Sequence, residues 1–217
     1  YTYNYDAYGN PSTVTGPGGY TATLVHDARG NLISYTDARG NQSTAEFDIL
    51  SRLKKIIDPY NNNFQLGYDA QGNVTSVVNK NNETSIFNYD ASNRVVKVTG
   101  PTNKQVTFTY DGMDNLTGIQ APHGYTRKFS HDTRNRLNGE KDSENNNTAY
   151  TYDGNGNITS ATLPNGQTIN YSYDALNRLI LASDATGNIV SLAYDKNSNV
   201  VSYTNGTGAI TSVTYDS

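Results

Sequence analysis

The sequence predicts an all-β fold: a repetitive antiparallel β-hairpin meander that coils into a spiral sheet, a shell or a rod. Three observations carry that prediction. An aromatic residue or His followed by Asp recurs every 21 residues along the whole chain. Each 21-residue unit holds two turn signals about half a repeat apart. The segments between the turns are rich in Thr, Val, Ile and Tyr, the residues that suit a pleated, half-buried surface. The alternative is a β-solenoid, in which one coil would advance only about 4.8 Å.

The repeat anchors are Tyr5-Asp6, His26-Asp27, Phe47-Asp48, Tyr68-Asp69, Tyr89-Asp90, Tyr110-Asp111, His131-Asp132, Tyr152-Asp153, Tyr173-Asp174, Tyr194-Asp195 and Tyr215-Asp216. No insertion or deletion interrupts them, so residues 1–217 read as a single array of ten repeats. Tyr1 stands inside a strand-like segment with no initiator Met, so the array reads as a piece of a longer chain.

The first turn follows the anchor, as in Asp27-Ala-Arg-Gly30 and Asp69-Ala-Gln-Gly72. Asp at its first position can accept a hydrogen bond from the backbone two residues on, and Gly or Asn at its fourth tolerates positive φ, which predicts a type I turn with a G1 bulge. The second turn, as in Asp58-Pro-Tyr-Asn61 and Leu163-Pro-Asn-Gly166, has Gly or Asn at its fourth position in all ten units. Five of the six prolines sit at its second position, which suits a type I turn.

Two strands per unit follow. In the strand leading to the anchor, the residue two before it (Leu24, Leu66, Phe87, Phe108, Phe129, Tyr150, Tyr171, Leu192) shares its face. In the strand after the first turn, apolar residues lie three apart, as in Leu53 and Ile56 or Val74 and Val77. An odd spacing changes parity, so a bulge or strong twist is expected there. Each repeat should advance the sheet by two strand spacings, about 9.5 Å.

Composition removes whole function classes. Without Cys there is no disulfide framework, Cys-ligated zinc or thiol nucleophile. A net charge of −4, with 16 scattered basic residues, argues against a nucleic-acid surface. No apolar run approaches a membrane span, so no membrane insertion is expected.

The aromatic-Asp pair, the Gly-Asn or Asn-Arg turn (Gly72-Asn73, Asn93-Arg94, Asn135-Arg136, Asn177-Arg178) and the Leu or Val that follows resemble the YD repeats of Rhs proteins. The resemblance covers the entire chain. The family includes bacterial Rhs and Tc-type toxins, wall-associated proteins and animal teneurins, whose repeats form a spiralling β-sheet shell or barrel. In the toxins that shell encloses a C-terminal effector. The resemblance therefore implies a secreted or cell-surface scaffold, bacterial in origin. Nothing here matches the Asp-Pro-x-Gly-Leu segment that ends the Rhs core, and the strict 21-residue period also fits an open-ended shaft.

Residues that could carry chemistry have plainer roles. His26 and His131 occupy anchor positions about 48 Å apart by strand arithmetic, and His123 sits at a turn tip. The aligned aspartates are too far apart to share a calcium ion and read as turn caps. No nucleophile elbow, P-loop or zinc-protease motif occurs, so no enzyme activity and no cofactor are expected. Most tyrosines belong to the buried face, but Tyr8, Tyr20, Tyr60 and Tyr125 lie in or beside turns and are the candidates for glycan contact.

The sequence thus reads as a non-enzymatic structural scaffold that forms a casing around an effector domain. The alternative is an extracellular fibre or adhesin shaft that self-associates or binds glycan. The expected partners are accordingly its own C-terminal effector domain or further copies of the array, with a surface glycan as a third. Neither terminal strand carries a blocking cap of Pro and charge.

Overall fold

Turn chemistry sets the chain path in the computed structural model, which describes residues 1–215; the anchor residue Asp216 lies outside them. The chain divides into two compact units, Tyr1–Thr107 and Phe108–Ser217. The first holds β1 (Thr2–Tyr5), β2 (Pro11–Thr15), β3 (Thr21–His26), β4 (Leu32–Thr36), β5 (Gln42–Phe47), β6 (Leu53–Ile57), β7 (Asn63–Tyr68), β8 (Val74–Val78), β9 (Thr84–Tyr89) and β10 (Val95–Thr99). The unit boundary falls inside β11 (Gln105–Tyr110). The second unit holds β12 (Leu116–Gln120), β13 (Thr126–His131), β14 (Leu137–Asp142), β15 (Asn147–Tyr152), β16 (Ile158–Thr162), β17 (Thr168–Tyr173), β18 (Leu179–Asp184), β19 (Gly187–Tyr194), β20 (Val200–Asn205) and β21 (Ile210–Ser212).

Within each unit every strand pairs antiparallel with the next in sequence, as β3 does with β4, β4 with β5, β15 with β16 and β16 with β17. Sequential hairpins of this kind are a meander, and they rule out the solenoid alternative.

The parity argument is met by a bulge. Tyr68 pairs with Val74 while Gly67 pairs with Ser76, leaving Thr75 as the extra residue. The same one-residue slip recurs at Leu53/Lys55, Leu137/Gly139, Ile158/Ser160 and Leu179/Leu181. It places residues three apart, such as Val74 and Val77, on one face: Val77 lies opposite Leu66, and Val74 opposite Tyr68.

The first turn closes in the expected way in all ten repeats. In the first, Asp6 N–H donates to the Asn10 carbonyl and Gly9 N–H to the Asp6 carbonyl. Its fourth residue has positive φ throughout, and Ser51 (60°), Asp114 (67°) and Ser198 (69°) accept that conformation where Gly or Asn is missing. The second turn departs from the expectation at three places. After Pro17 the next residue, Gly18, is itself left-handed, as in a type II turn, and Pro122–Gly124 forms a single 3₁₀ turn with His123 at φ 67°. At Asp184-Ala-Thr-Gly187 strand pairing runs up to Asp184 and Gly187, so the loop tightens to two residues and Gly187 reaches φ 133°.

The two faces differ. Alternating exposure and the cross-strand register place the anchor aromatics, Leu24, Leu66, Phe87, Tyr150 and Tyr171, and the facing Tyr35, Ile56, Val77, Val98, Ala161 and Ala182 together. Thr, Ser, Lys and Gln dominate the other side. Among the described residues no second layer covers either face within a unit. The accessible surface is 14086 Å², against about 9,800 Å² for a compact protein of this mass. Among the described residues only Ala161, Ala182 and Thr148 are buried. The two alanines lie opposite Tyr150 and Tyr171, where a small side chain fits beneath a large ring. Among the described residues no helix is long and apolar enough to cross a membrane.

Candidate functional site

Two features could act on other molecules: the edge built by the first turns, and the uncovered aromatic face. The edge begins with the repeat aspartates. Asp132 Oδ1 accepts the backbone N–H groups of Arg134 and Arg136, and Oδ2 accepts Arg136 Nε at 2.7 Å. The same cage, with Asn or Arg four residues on, encloses Asp27, Asp48, Asp90, Asp153, Asp174 and Asp195. Hydrogen bonding to the charged form favours it. The Arg136 side chain first, and the backbone second, hold Asp132 down at about 2. Carboxylates saturated by N–H donors are turn caps. No group of three His, Asp or Glu among the described residues is arranged to hold a metal.

Neighbouring turns are laced together. Asn157 Nδ2 donates to Asn177 Oδ1 at 2.8 Å, and Asn73 makes the same bond to Asn93. Arg52, Arg136 and Arg178 each cap their own Asp, donate onward to the carbonyl of the next repeat's Asp, and lie 4.4–4.5 Å over the next anchor ring, Tyr68, Tyr152 or Tyr194. Those rings are themselves tied down. The hydroxyls of Tyr68, Tyr89, Tyr152, Tyr194 and Tyr215 donate to backbone carbonyls 15 residues earlier. The anchor tyrosine is therefore a strut between repeats.

His26 and His131 take the anchor position without that strut, and their buried Nδ1 atoms have no hydrogen-bond partner. His123 stands at the turn tip with φ 67°. Each of the three is at a different point of the repeat array.

On the aromatic face of the first unit the inward strand positions carry no Asp, Glu, Lys or Arg. In the second unit they include Arg127 and Glu140, 2.9 Å apart, with Asp142 opposite Arg127 across β13 and β14. The sequence gives no sign of this pair, because the two are 13 residues apart and meet only once the bulge fixes the register, with Glu140 opposite Phe129. Burial, and then the Glu140 carboxylate, push the Tyr150 hydroxyl up.

Of the tyrosines singled out from the sequence, Tyr8, Tyr60 and Tyr20 are 80%, 84% and 71% exposed, and Tyr125 is 47% exposed. Tyr20 shares a cleft with Tyr1 and Tyr35. Tyr8 lies on the first-turn edge, remote from that cleft along the strands.

Known proteins place this architecture. No curated protein matches the sequence. Among solved structures, TcdB2-TccC3-TEV superposes with a TM-score of 0.68 at 16% identity, covering 94% of this chain and 12% of that one. TcdB2-TccC3 gives 0.53 at 14% identity, covering 99% and 18%. A Photorhabdus luminescens Tc holotoxin pore gives 0.55 at 17%, covering 85% and 12%. At such identities the likeness is one of fold, and the chain spans only 12–18% of the length of those structures' chains. The teneurin YD-shell family model matches residues 33–217, more than four fifths of the sequence. With the caged Asp, the strutted anchor ring and the bulged hairpin repeated in register, the chain belongs to the teneurin YD-shell family and is a structural scaffold of that kind.

Proposed function

We propose that this chain is a wall segment of a secreted or cell-surface shell, in which residues 1–217 act as one array of ten repeats and the aromatic face lines a space holding an effector domain of the same longer polypeptide. One observation carries the reading: each unit is a single β layer whose aromatic face no other described element of that unit covers. Uncovered apolar surface beyond a few hundred Å² marks an interaction face. The likeness to Tc toxin structures supports a shell over a free-standing sheet. The wall needs no catalysis and no cofactor. Its chemistry is to exclude and to contain.

Protease protection of the full-length natural protein tests this. The C-terminal polypeptide should survive trypsin in intact particles and be digested once denaturant opens them. Equal digestion in both states would contradict enclosure.

A fibre shaft is the second reading, favoured by the strict 21-residue period and by the hydrogen-bonding edge of β1, whose four residues are all exposed. Its partner would be a further copy of the array.

A further inference from the structure

We propose that the slot between the first turns at Asn73 and Asp90 binds the guanidinium of an arginine side chain presented by a partner polypeptide, a function separate from containment. Arginine stands four residues after the turn Asp in every second repeat from Arg52 to Arg178, and Asn stands there in the others. The arginines show what the space between two turns accepts. Arg52 donates through Nε to Asp48 Oδ2 at 2.7 Å and through Nη1 to the Asp69 carbonyl at 3.1 Å, and it lies 4.5 Å over the Tyr68 ring. A Cβ on Gly72, the left-handed residue of the next turn, would stand 3.8 Å from the same Nη1. Arg136 and Arg178 repeat the three contacts in their own intervals.

Where Asn73 takes the arginine's position, the equivalent space is a cavity of about 280 Å³ whose lining includes Asp69, Gln71, Asn73, Tyr89, Asp90 and Asn93. Every partner of Arg52 has its counterpart there: Asp69 stands for Asp48, Tyr89 for Tyr68, Asp90 for Asp69 and Asn93 for Gly72. The volume lies just below the range of about 300–1,000 Å³ usual for whole small molecules, which suits a single side chain. The Asn73 amide is too short to fill it, since Nδ2 stops at Asp69 Oδ2 and Asn93 Oδ1, 2.9 and 2.8 Å away. Beyond it the acceptors are spare. The Tyr89 ring is held by its hydroxyl's bond to the Val74 carbonyl and has no cation over it, and the Asp90 carbonyl accepts the Asn93 N–H alone among the described residues. Asp69 has no ion-pair partner among them, whereas Asp48, Asp90, Asp132 and Asp174 each pair with an arginine.

The other asparagine intervals are built differently. At Asn31 the space is entered from the turn tip, where Arg29 donates to the Asp48 carbonyl at 2.9 Å. At Asn157 the Asn155 amide crosses to Asn177 Oδ1 at 2.9 Å. Asn10 and Asn115 lead to His26 and His131, so the tyrosine ring is missing. Only a planar fork can reach the Asp69 carboxylate and the Asp90 carbonyl together while it stacks on Tyr89; an ammonium is a point donor and cannot do all three.

Titration of the 217-residue chain with N-acetyl-arginine amide, followed by backbone amide NMR, tests the slot, with N-acetyl-lysine amide as the control. The expected result is saturable shifts at residues 69–73 and 88–94, with binding at least about fivefold weaker for the lysine probe and at least about fivefold weaker in Asn73→Arg and in Gln71→Arg. Both variants fill the slot from within. Asn73→Arg copies Arg52, and Gln71→Arg copies Arg29, so both should fold, and circular dichroism spectra identical to the parent protein's would show it. Tyr8→Ala should leave binding unchanged. Absence of saturable shifts, binding that either filling variant leaves intact, or equal affinity for the lysine probe would each overturn the assignment. None of these results bears on enclosure, which the protease experiment reads separately.

Discussion

The Tyr152 hydroxyl donates to the Leu137 carbonyl at 2.6 Å, joining an anchor ring to the strand that opens 15 residues before it. The bond recurs at several anchors, so it is part of the repeat's own design. Tyr152→Phe keeps the ring and removes the bond. It should cost about 0.5–1.5 kcal/mol and lower the melting temperature by roughly 2–4 °C per kcal/mol. Thermal melts of the two proteins check it, and an unchanged Tm would mean the ring alone holds the repeats together.

Arg136 makes three contacts at once: the cage of Asp132, the Asp153 carbonyl at 3.0 Å and the face of Tyr152. Arg136→Gln loses the last two outright, at a cost of about 1–2 kcal/mol. Arg136→Lys should recover little of this, because an ammonium lacks the planar fork. Urea unfolding of both variants gives the comparison.

Acid should unfold the array. Asp132 stands at about 2, below its ordinary 3.8, and the other repeat aspartates are lowered in the same direction, chiefly by bonds from the Asn or Arg four residues on. A depressed carboxylate stabilises the fold fully above the unfolded value and loses that contribution as pH falls through the folded one. Stability should therefore be level above pH 4 and fall steeply between about 4 and 2. Circular dichroism melts across that window measure it; a flat profile would remove the cages from the account.

Asn103 closes a second turn with φ 59°. Asn103→Val forces a β-branched residue into the left-handed region and should destabilise by about 1–2 kcal/mol. Asn103→Gly should be near neutral, which separates backbone strain from loss of the side chain.

Glu140 sits where the other repeats place Val, Ile, Ala or Tyr, and Arg127 where they place an uncharged residue such as Ala22, Ser85 or Val106. Glu140→Val alone removes the 2.9 Å partner of Arg127, leaves only Asp142 opposite the guanidinium, and should lower Tm. Arg127→Val with Glu140→Val restores the common pattern and should match or exceed the parent, since exchanging an ion pair for packed hydrophobes is often neutral or favourable.

The turns, the strand pairing and the bulge were legible because each is local. Asp at turn position one, Gly or Asn at position four, and Leu or Val three residues from its face-mate all report constraints met within a dozen residues. What escaped was set by register across strands. Arg127 meets Glu140, and Tyr20 shares a cleft with Tyr35, only once the register fixes which side chains share a face. The lacing between repeats, Asn to Asn at i+20 and Arg to the next Asp carbonyl at i+17, was half visible as the Gly-Asn and Asn-Arg turn variants, but the bonding across repeats needs neighbouring turns in space. The tight turn at Gly187 escaped because its four residues match the common signal.

Cryo-electron microscopy of the full-length natural protein tests the central claim most directly. The account predicts a closed particle whose wall is one β layer, with the anchor aromatics facing inward and extra polypeptide density inside. A filament, or a second protein layer packed across the aromatic face of residues 1–217, would contradict it.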